Sequence, residues 1–221
     1  MKKNIILGID IGGSKIRAIL LDGKKVLMAH EVKTPRTLSE FKKALRDLAG
    51  SAPKIGIAVP GRIRGAVFVS ATNLAYIRNF NFKNFFGKTD VHVDHDARCF
   101  ARAEYKNKKI TLFLTLGTGL GRAVGMGGKI LNIKKFERPE RWEKEYQKIR
   151  DSKKNRALAI FLAKHLKRCF KEYNPKLIIV GGGVAGRRIF LAKFRKAAGL
   201  PVRKSKFGKN AVAMGAALSA A

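Results

Sequence analysis

Acidic residues are scarce in this chain. Only 15 Asp and Glu stand against 48 Lys and Arg in 221 residues, a net charge of +33. Such an excess attracts polyanions at low salt, which suits nucleic-acid binding and equally suits a basic surface unrelated to the chemistry. Cysteine is limited to Cys99 and Cys169, which excludes a disulfide framework and a cysteine-rich zinc site. No apolar run reaches the roughly 18 residues that cross a bilayer. The start, Met1 to Leu7, resembles a signal peptide, but Asp10 cuts it short and no clean small-residue cleavage site follows. It is read as a buried strand, and the protein as cytoplasmic with no membrane partner. Solenoid repeats and low-complexity linkers are absent. Apolar residues are not scarce: at 46%, with 14 Phe, they exclude wholesale disorder and suffice for one large domain or two compact lobes.

The pattern along the chain is strand, Gly-rich turn and hairpin, then alternating helices and strands, and it occurs twice. In the first half, strands are expected over 3–10, 16–21 and 26–32, with Asp22-Gly23 as a tight hairpin turn. A helix over 37–48 carries apolar residues at 38, 41, 45 and 48 on one face. Short strands follow at 55–59, 67–69 and 91–93, and a helix over 97–105. The second half starts with a strand over 110–116 and a hairpin of 122–126 with 129–133 around Gly127-Gly128. Helices over 140–150 and 155–173 come next, then a buried strand over 177–180. Helices over 186–198 and 211–220 close the chain. The reading is a two-lobed α/β protein with related halves, residues 1–108 and 109–221, the last helix packing back toward the first lobe. Such lobes leave a cleft, which both Gly-rich turns can face.

Asp10-Ile11-Gly12-Gly13-Ser14-Lys15 ends the first strand. A carboxylate there can hold Mg²⁺ through water, because that ion keeps several of its waters. The glycines let backbone N–H groups approach phosphate oxygens, and Ser14 and Lys15 add donors. This combination favours a phosphate loop over a plain hairpin turn. Thr115-Leu116-Gly117-Thr118-Gly119-Leu120-Gly121 is a second such loop, and neither is a P-loop. Gly181 to Gly186 matches Gly-x-Gly-x-x-Gly, but the acid expected about 20 residues on is missing, so a nucleotide-contacting turn of another kind is preferred to a dinucleotide fold. Asp94-His95-Asp96 sits at a strand-to-helix junction. There Asp96 is either a helix N-cap or a general base. The acids and histidines of that run alternate along an extended segment, which disfavours a metal site.

In this order, the motifs resemble the ROK family of sugar kinases, within the superfamily that includes heat-shock protein 70 and actin. Gly8 to Lys15 is similar to the family's first phosphate motif, and Gly56 to Ile63 to its bend beside the sugar. Ala71-Thr72-Asn73-Leu74 is similar to the sugar-facing segment, and Val93 to Ala97 to the Asn-Asp-Ala site. Leu114 to Gly121 is similar to the second phosphate motif, Pro175 to Val184 to the adenosine motif, and Phe207 to Ala217 to the closing helix. The resemblance implies a two-lobed actin-like ATPase (ribonuclease H-like) fold with an interlobe cleft. It further implies glucokinase- or hexokinase-like transfer of the γ-phosphate of ATP to a hexose or hexosamine hydroxyl. By that likeness Asp96 is the catalytic base and Asp10 the water-mediated Mg²⁺ ligand. Gly12, Gly13, Ser14, Lys15, Thr115, Gly117, Thr118 and Gly119 hold phosphates, and Gly181, Gly182 and Gly183 flank the adenosine. Gly61, Arg62, Thr72, Asn73 and His95 surround the sugar. A homodimer is within the family's habit.

The departures define the alternatives. His95 stands where the family has Asn, and imidazole still donates one hydrogen bond. The family's Gly-Glu-x-Gly-His stretch and its zinc motif are absent, so no structural zinc is expected. In their place lies the basic segment around Lys134 to Trp142. Glu137 or Glu140 either substitutes as a sugar ligand or, as the charge pattern favours, lies on a solvated face. Two further readings therefore stand beside the kinase. One is a catalytically weakened nucleotide-binding or regulatory relative. The other is a nucleic-acid binder on the same scaffold, though charge scattered along the chain favours nonspecific polyanion attraction over readout.

Overall fold

The computed structural model describes residues 5–23 and 25–221. Residues 3 and 4, where the sequence pattern starts the first strand, lie outside the described residues. Contacts divide the chain into two units, one running through Ala103 and taking in Asn210–Ala221, the other Glu104–Lys209. The expected break at 108 falls earlier because the buried Glu104 is bound by the second unit. Its Oε1 accepts from Ser205 Oγ at 2.6 Å and from the Lys206 and Phe207 amides at 2.7 and 3.2 Å, and its Oε2 accepts from Arg203 at 3.1 Å.

The first unit begins with β1 (Ile5–Ile11), β2 (Lys15–Asp22), β3 (Lys25–Lys33), α1 (Leu38–Ala49) and β4 (Lys54–Val59). Then come β5 (Arg62–Arg64), β6 (Val67–Ser70), β7 (Phe80–Asn81), α2 (Phe82–Phe86), β8 (Asp90–His95) and α3 (Asp96–Glu104). The main sheet has the order β3-β2-β1-β4-β8, with β1, β4 and β8 parallel. Two parallel strands running on from a hairpin need crossover connections, which α1 and the segment between β4 and β8 supply. Thr37 caps α1, its Oγ1 accepting from the Glu40 amide at 3.3 Å. Phe41, Leu45 and Leu48 of α1 are buried, while Leu38 stays exposed. Of the small sheet β5-β6-β7 and helix α2, β6 matches the strand expected over 67–69, while β5, β7 and α2 had no clear periodic signature. They form around Phe80, whose ring meets Phe41 and Phe82 edge-on at 5.6 and 4.9 Å between centroids.

The second unit comprises β9 (Thr111–Leu116), β10 (Leu120–Met126), β11 (Lys129–Ile130), α4 (Glu143–Asp151), α5 (Asn155–Tyr173), β12 (Leu177–Gly181), α6 (Arg188–Ala198) and β13 (Val202–Lys204). Its sheet, β11-β10-β9-β12-β13, has β9, β12 and β13 parallel, so each unit carries a hairpin-plus-parallel sheet of five strands. In this unit four expected bounds move by two residues or more, one of them that of the strand expected from Arg122, which starts at Leu120. The strand expected over 129–133 stops at Ile130 and gives way to a 3₁₀ turn, Lys134–Glu137; the helix expected from Glu140 starts at Glu143; and the one expected from Gly186 starts at Arg188, after a 3₁₀ turn, Gly183–Gly186. Among the described residues no helix is long and apolar enough to cross a membrane.

The closing helix α7 (Ala211–Ala220) packs on β1, β4 and β8 of the first unit. It approaches almost backbone to backbone. A Cβ on Gly8 would overlap the Ala213 carbonyl, one on Gly56 the Ala216 carbonyl, and one on Gly215 the Cys99 carbonyl. The seam therefore excludes a side chain at these three glycines, and the small Ala213, Ala216 and Ala217 are fully buried beside them. This contact is rigid, because no far end of a flexible side chain can move out of the way. Gly56→Ala should cost about 3 kcal/mol or more or prevent folding of the first unit. Gly186→Ala, with open space around it, should cost under about 1 kcal/mol. Denaturant melts followed by circular dichroism check this, and equal midpoints for the two variants would contradict the close seam.

Candidate active site

Parallel strands deliver their carboxyl ends to one edge of a sheet, and that edge is where α/β sheets bind ligands. In the first unit β1 ends in Asp10 to Gly13, β4 in Pro60 to Arg62, and β8 in Asp94 to Asp96. The Gly61 bend has φ +74°, and a Cβ there would press on the Ser70 carbonyl and on Ala71. Glycine lets the chain turn there into β5. Arg62, at the start of β5, is exposed. Thr72 and Asn73 lie in an exposed 3₁₀ turn, Thr72–Leu74, and Asn73 packs so closely on Gly13 that a Cβ there would meet its amide. The sugar-side segment and the first phosphate loop are thus in contact.

That loop is held by the neck of β3. The Gly12 amide donates to the Lys15 carbonyl at 3.0 Å, Thr34 Oγ1 donates to the Gly12 carbonyl at 2.6 Å, and the Thr34 amide donates to the Ser14 carbonyl at 3.1 Å. Gly13 and Ser14 are exposed. Lys15 behaves differently from the expected phosphate donor, because its ammonium is paired with Glu31 on β3, which also accepts from Arg17 Nε at 2.7 Å.

Asp10 is the residue under most electrostatic stress. Its side chain is 13% exposed, and Arg17 lies 3.8 Å away as its ion-pair partner. Burial pushes its carboxyl up to about 7, the negative charge of Asp96 adds to the rise, and Arg17 opposes it. Two carboxylates placed together with so little positive charge form a cation-seeking pair. Among the described residues no group of three or more His, Cys, Asp or Glu converges as a metal site. A divalent ion beside Asp10 would accordingly keep most of its shell as water and phosphate, the habit of Mg²⁺.

Asp96 opens α3. Its Oδ1 accepts from the Ala97 amide at 2.6 Å, and His95 Nδ1 lies 3.1 Å from the same oxygen. The Ala97 amide also donates to His95 Nδ1 at 3.4 Å, so the buried imidazole and the carboxylate share one backbone donor. The Asp96 side chain is 31% exposed and reachable. Asp94 has a separate task. Its oxygens accept from Arg98 Nε at 2.6 Å, Arg102 Nη2 at 2.8 Å and the His95 amide at 2.7 Å. Burial alone would raise the Asp94 carboxyl, but the two guanidinium groups hold it below the ordinary carboxylate range. Asp94 is a strut for the β8–α3 corner.

In the second unit, Thr115 lies within β9, and the loop Gly117-Thr118-Gly119 turns from β9 to β10, closed by a bond from the Gly117 amide to the Gly119 carbonyl at 3.1 Å. Gly181 ends β12 beside Thr115, and Gly182, at φ +80°, packs on Leu116 so tightly that a Cβ would collide with its carbonyl. Gly183 faces open space. The second phosphate loop and the adenosine motif are therefore adjacent. Helix α4, whose contribution the sequence did not disclose, grips that loop. Glu143 Oε1 accepts from the Leu120 amide at 3.2 Å, Tyr146 Oη donates to the Gly117 carbonyl at 3.1 Å, and Gln147 Nε2 donates to the Thr118 carbonyl at 3.1 Å. Arg150 Nη1 donates to both carbonyls, at 2.6 and 2.7 Å.

The solvated face expected around Glu137 and Glu140 is not found. Glu137 is buried and paired with Lys134, and Glu140 pairs with the buried Arg122, whose guanidinium lies over Phe136. Glu137 thus pairs with an exposed lysine and Glu140 neutralises a buried arginine of the second unit.

The sequence model of the ROK family matches residues 6–133. An N-acetylmannosamine kinase of Escherichia coli is 32% identical over 143 residues, covering 58% of this chain and 49% of that protein. The chain spans about half the length of the first curated relatives it matches. A Streptomyces griseus ROK glucokinase, solved with glucose and AMPPNP, superposes with a TM-score of 0.81 at 21% identity, covering 98% of this chain and 99% of that one. An inorganic polyphosphate/ATP-glucomannokinase from Arthrobacter sp. strain KM gives 0.78 at 26% identity, covering 97% of each. These likenesses give the mixed α/β, actin-like ATPase fold.

The raised Asp10 carboxyl has a consequence for stability. Between its ordinary 3.8 and about 7 the folded protein keeps a proton that the unfolded chain has lost. Stability contributed by this group therefore falls as pH rises through that window. In metal-free protein, Asp10→Asn should raise stability by roughly 1–3 kcal/mol at pH 8, and the gain should vanish by about pH 4. Denaturant melts at the two pH values in chelator check it. A gain independent of pH would contradict the buried, ionised carboxylate.

Proposed function

The chain belongs to the ROK family, and from that premise we propose that it is an ATP-dependent sugar kinase acting on a hydroxyl of a hexose or hexosamine. The observation that carries this reading is the placement of a buried Asp10 and a reachable Asp96 at the carboxyl ends of β1 and β8, close enough for the charge of Asp96 to raise the Asp10 carboxyl. A reachable carboxylate capped by a backbone amide is suited to accept a proton, and a buried one near it is suited to hold a cation.

Asp96 accepts the proton of the sugar hydroxyl as that oxygen bonds to the γ-phosphorus, and the bond to the β-phosphate oxygen breaks to leave ADP. The Ala97 amide, shared with His95 Nδ1, holds the Asp96 carboxylate in position. Gly61, Arg62, Thr72 and Asn73 surround the sugar, and the contact of Asn73 with Gly13 registers it against the first phosphate loop. Gly12, Gly13 and Ser14, with Gly117, Thr118 and Gly119, direct backbone donors at phosphate oxygens. Asp10 would hold Mg²⁺ through water, and the ion would supply neutralisation of phosphate charge. Lys15, engaged by Glu31, contributes positive potential without a direct bond.

The residues also fit a nucleotide. Asn155 Oδ1 at the start of α5 is buried without a hydrogen-bond partner among the described residues. It borders a shallow depression lined by the exposed Ile160 and Ile189, the latter three residues beyond Gly186. Apolar walls with one orphan acceptor suit a flat base carrying an amino group. Lys154 and Arg156 on its rim suit the phosphate tail.

Glu137 and Glu140 are committed to ion pairs, which favours one rival reading, a weakened kinase that still binds nucleotide. An ADP-release assay over a panel of hexoses and N-acetylhexosamines separates the two, run with ATP and with inorganic polyphosphate as donors because the basic chain attracts both. The expected result is a sugar-dependent rate that falls about 10²–10⁴-fold in Asp96→Asn. ATP binding with no rate on any sugar would turn the assignment to the weakened relative. Nucleic-acid binding that survives physiological salt and prefers a sequence would turn it to the third reading.

A further inference from the structure

The segment that replaces the family's sugar-binding stretch folds into α4, and its contacts all run to one place. Tyr146, Gln147 and Arg150 lie on successive turns of a single helix face, and their donors converge on the Gly117 and Thr118 carbonyls. The Arg150 side chain is 16% exposed and its other nitrogens are taken by Asp151 at 2.8 and 2.9 Å. Arg187, the residue after the Gly183–Gly186 turn, donates to the Arg150 carbonyl at 3.0 Å and fixes the last turn of α4. The helix is thus tied at both ends to glycine-rich loops.

A trans peptide points its N–H opposite its carbonyl. The Gly117 carbonyl shares a peptide with the Thr118 amide, and the Thr118 carbonyl with the Gly119 amide. With both carbonyls turned onto α4, both amides turn away from it. The Gly117 amide is already spent on the Gly119 carbonyl. Two consecutive amides aimed to one side make an anion-binding concavity. Without α4 the glycine-flanked peptides could rotate, since glycine tolerates either orientation.

Resting on the kinase reading above, we propose that Arg150, with Gln147 and Tyr146, is a positioning residue for phosphoryl transfer. It locks the Thr118 and Gly119 amides toward the nucleotide's phosphates and leaves the nucleoside site untouched. Its guanidinium acts through the loop and does not touch the substrate. The arginine fork matters here because one nitrogen serves two carbonyls in a fixed plane, which an ammonium cannot reproduce.

The test compares affinities for Mg·ATP and for adenosine by calorimetry, in wild type, Arg150→Met, Arg150→Lys and Gln147→Met. Adenosine lacks the phosphates, so it reports damage to the rest of the site. Arg150→Met should weaken Mg·ATP about tenfold and adenosine less than about twofold, with Arg150→Lys in between and Gln147→Met weaker by about two- to threefold for Mg·ATP alone. The same variants should raise KM for ATP and leave KM for the sugar unchanged. Equal losses for both ligands, or none for either, overturn the proposal and point to a structural helix. If Arg150→Met does not fold, the Arg150→Lys and Gln147→Met ratios decide. Wild type that binds no Mg·ATP overturns the kinase reading itself, and the proposal with it; wild type that discriminates while the variants do not differ from it overturns only the proposal.

Discussion

A buried carboxylate, Asp10, that also feels the charge of Asp96 sets the terms for the first unit. Asp10 and Asp96 repel one another at the ends of β1 and β8, and Arg17, 3.8 Å from Asp10, compensates only part of the cost. Such an arrangement persists only where the surrounding structure over-determines it. The over-determination is visible in the packing. Helix α7 lies against β1, β4 and α3 with Gly8, Gly56 and Gly215 in backbone contact, so these elements cannot shift to let the carboxylates separate. Asp94, clamped by Arg98 and Arg102, fixes the β8–α3 corner from which Asp96 projects.

In a chain this poor in acids, most of the carboxylates are committed, and their tasks can be told apart by what they touch. Glu104 gathers the 203–207 segment, Glu140 neutralises the buried Arg122, Glu143 holds the amide at the start of β10, and Glu31 collects Lys15 and Arg17. Asp10, with Arg17 3.8 Å away, and Asp96, capped by the Ala97 amide, stand at the carboxyl ends of parallel strands. The large positive excess, by contrast, is spread along the chain and marks no residue in particular. The informative electrostatics is local, and it is negative.

Much of the fold was legible because its signals are local. The parallel strands are continuous apolar runs, Thr37 and Glu40 mark the start of α1, and Asn155 to Tyr173 and Ala211 to Ala220 fall where expected. The turns with φ above zero carry glycine at Gly61 and Gly182. Elements that depend on distant partners were not legible. Helix α2 is a run of aromatics with no helical period, and β13 is three residues behind Pro201 that pair with β12. The charges of the replaced segment look like a solvated face because their partners, Arg122 and the Gly117–Leu120 loop, lie well upstream in sequence. Lys15 could be read as a phosphate donor only because Glu31, sixteen residues on, is invisible to a motif. The resemblance supplied residue roles, while geometry supplied the reasons for those at Asp10, Asp94 and Asp96.

The most direct measurement is carboxyl ¹³C NMR of protein labelled at aspartate, titrated against pH without metal and then with Mg²⁺ and ATP, with Asp10→Asn to assign the signal. The Asp10 carboxyl should titrate near the value of about 7 set by burial and by Asp96 when metal is absent. It should move down toward the ordinary carboxylate range when cation and nucleotide are present. An Asp10 signal that titrates near 4 without metal, and does not move on adding Mg²⁺ and ATP, would contradict a cation-seeking pair at the strand ends.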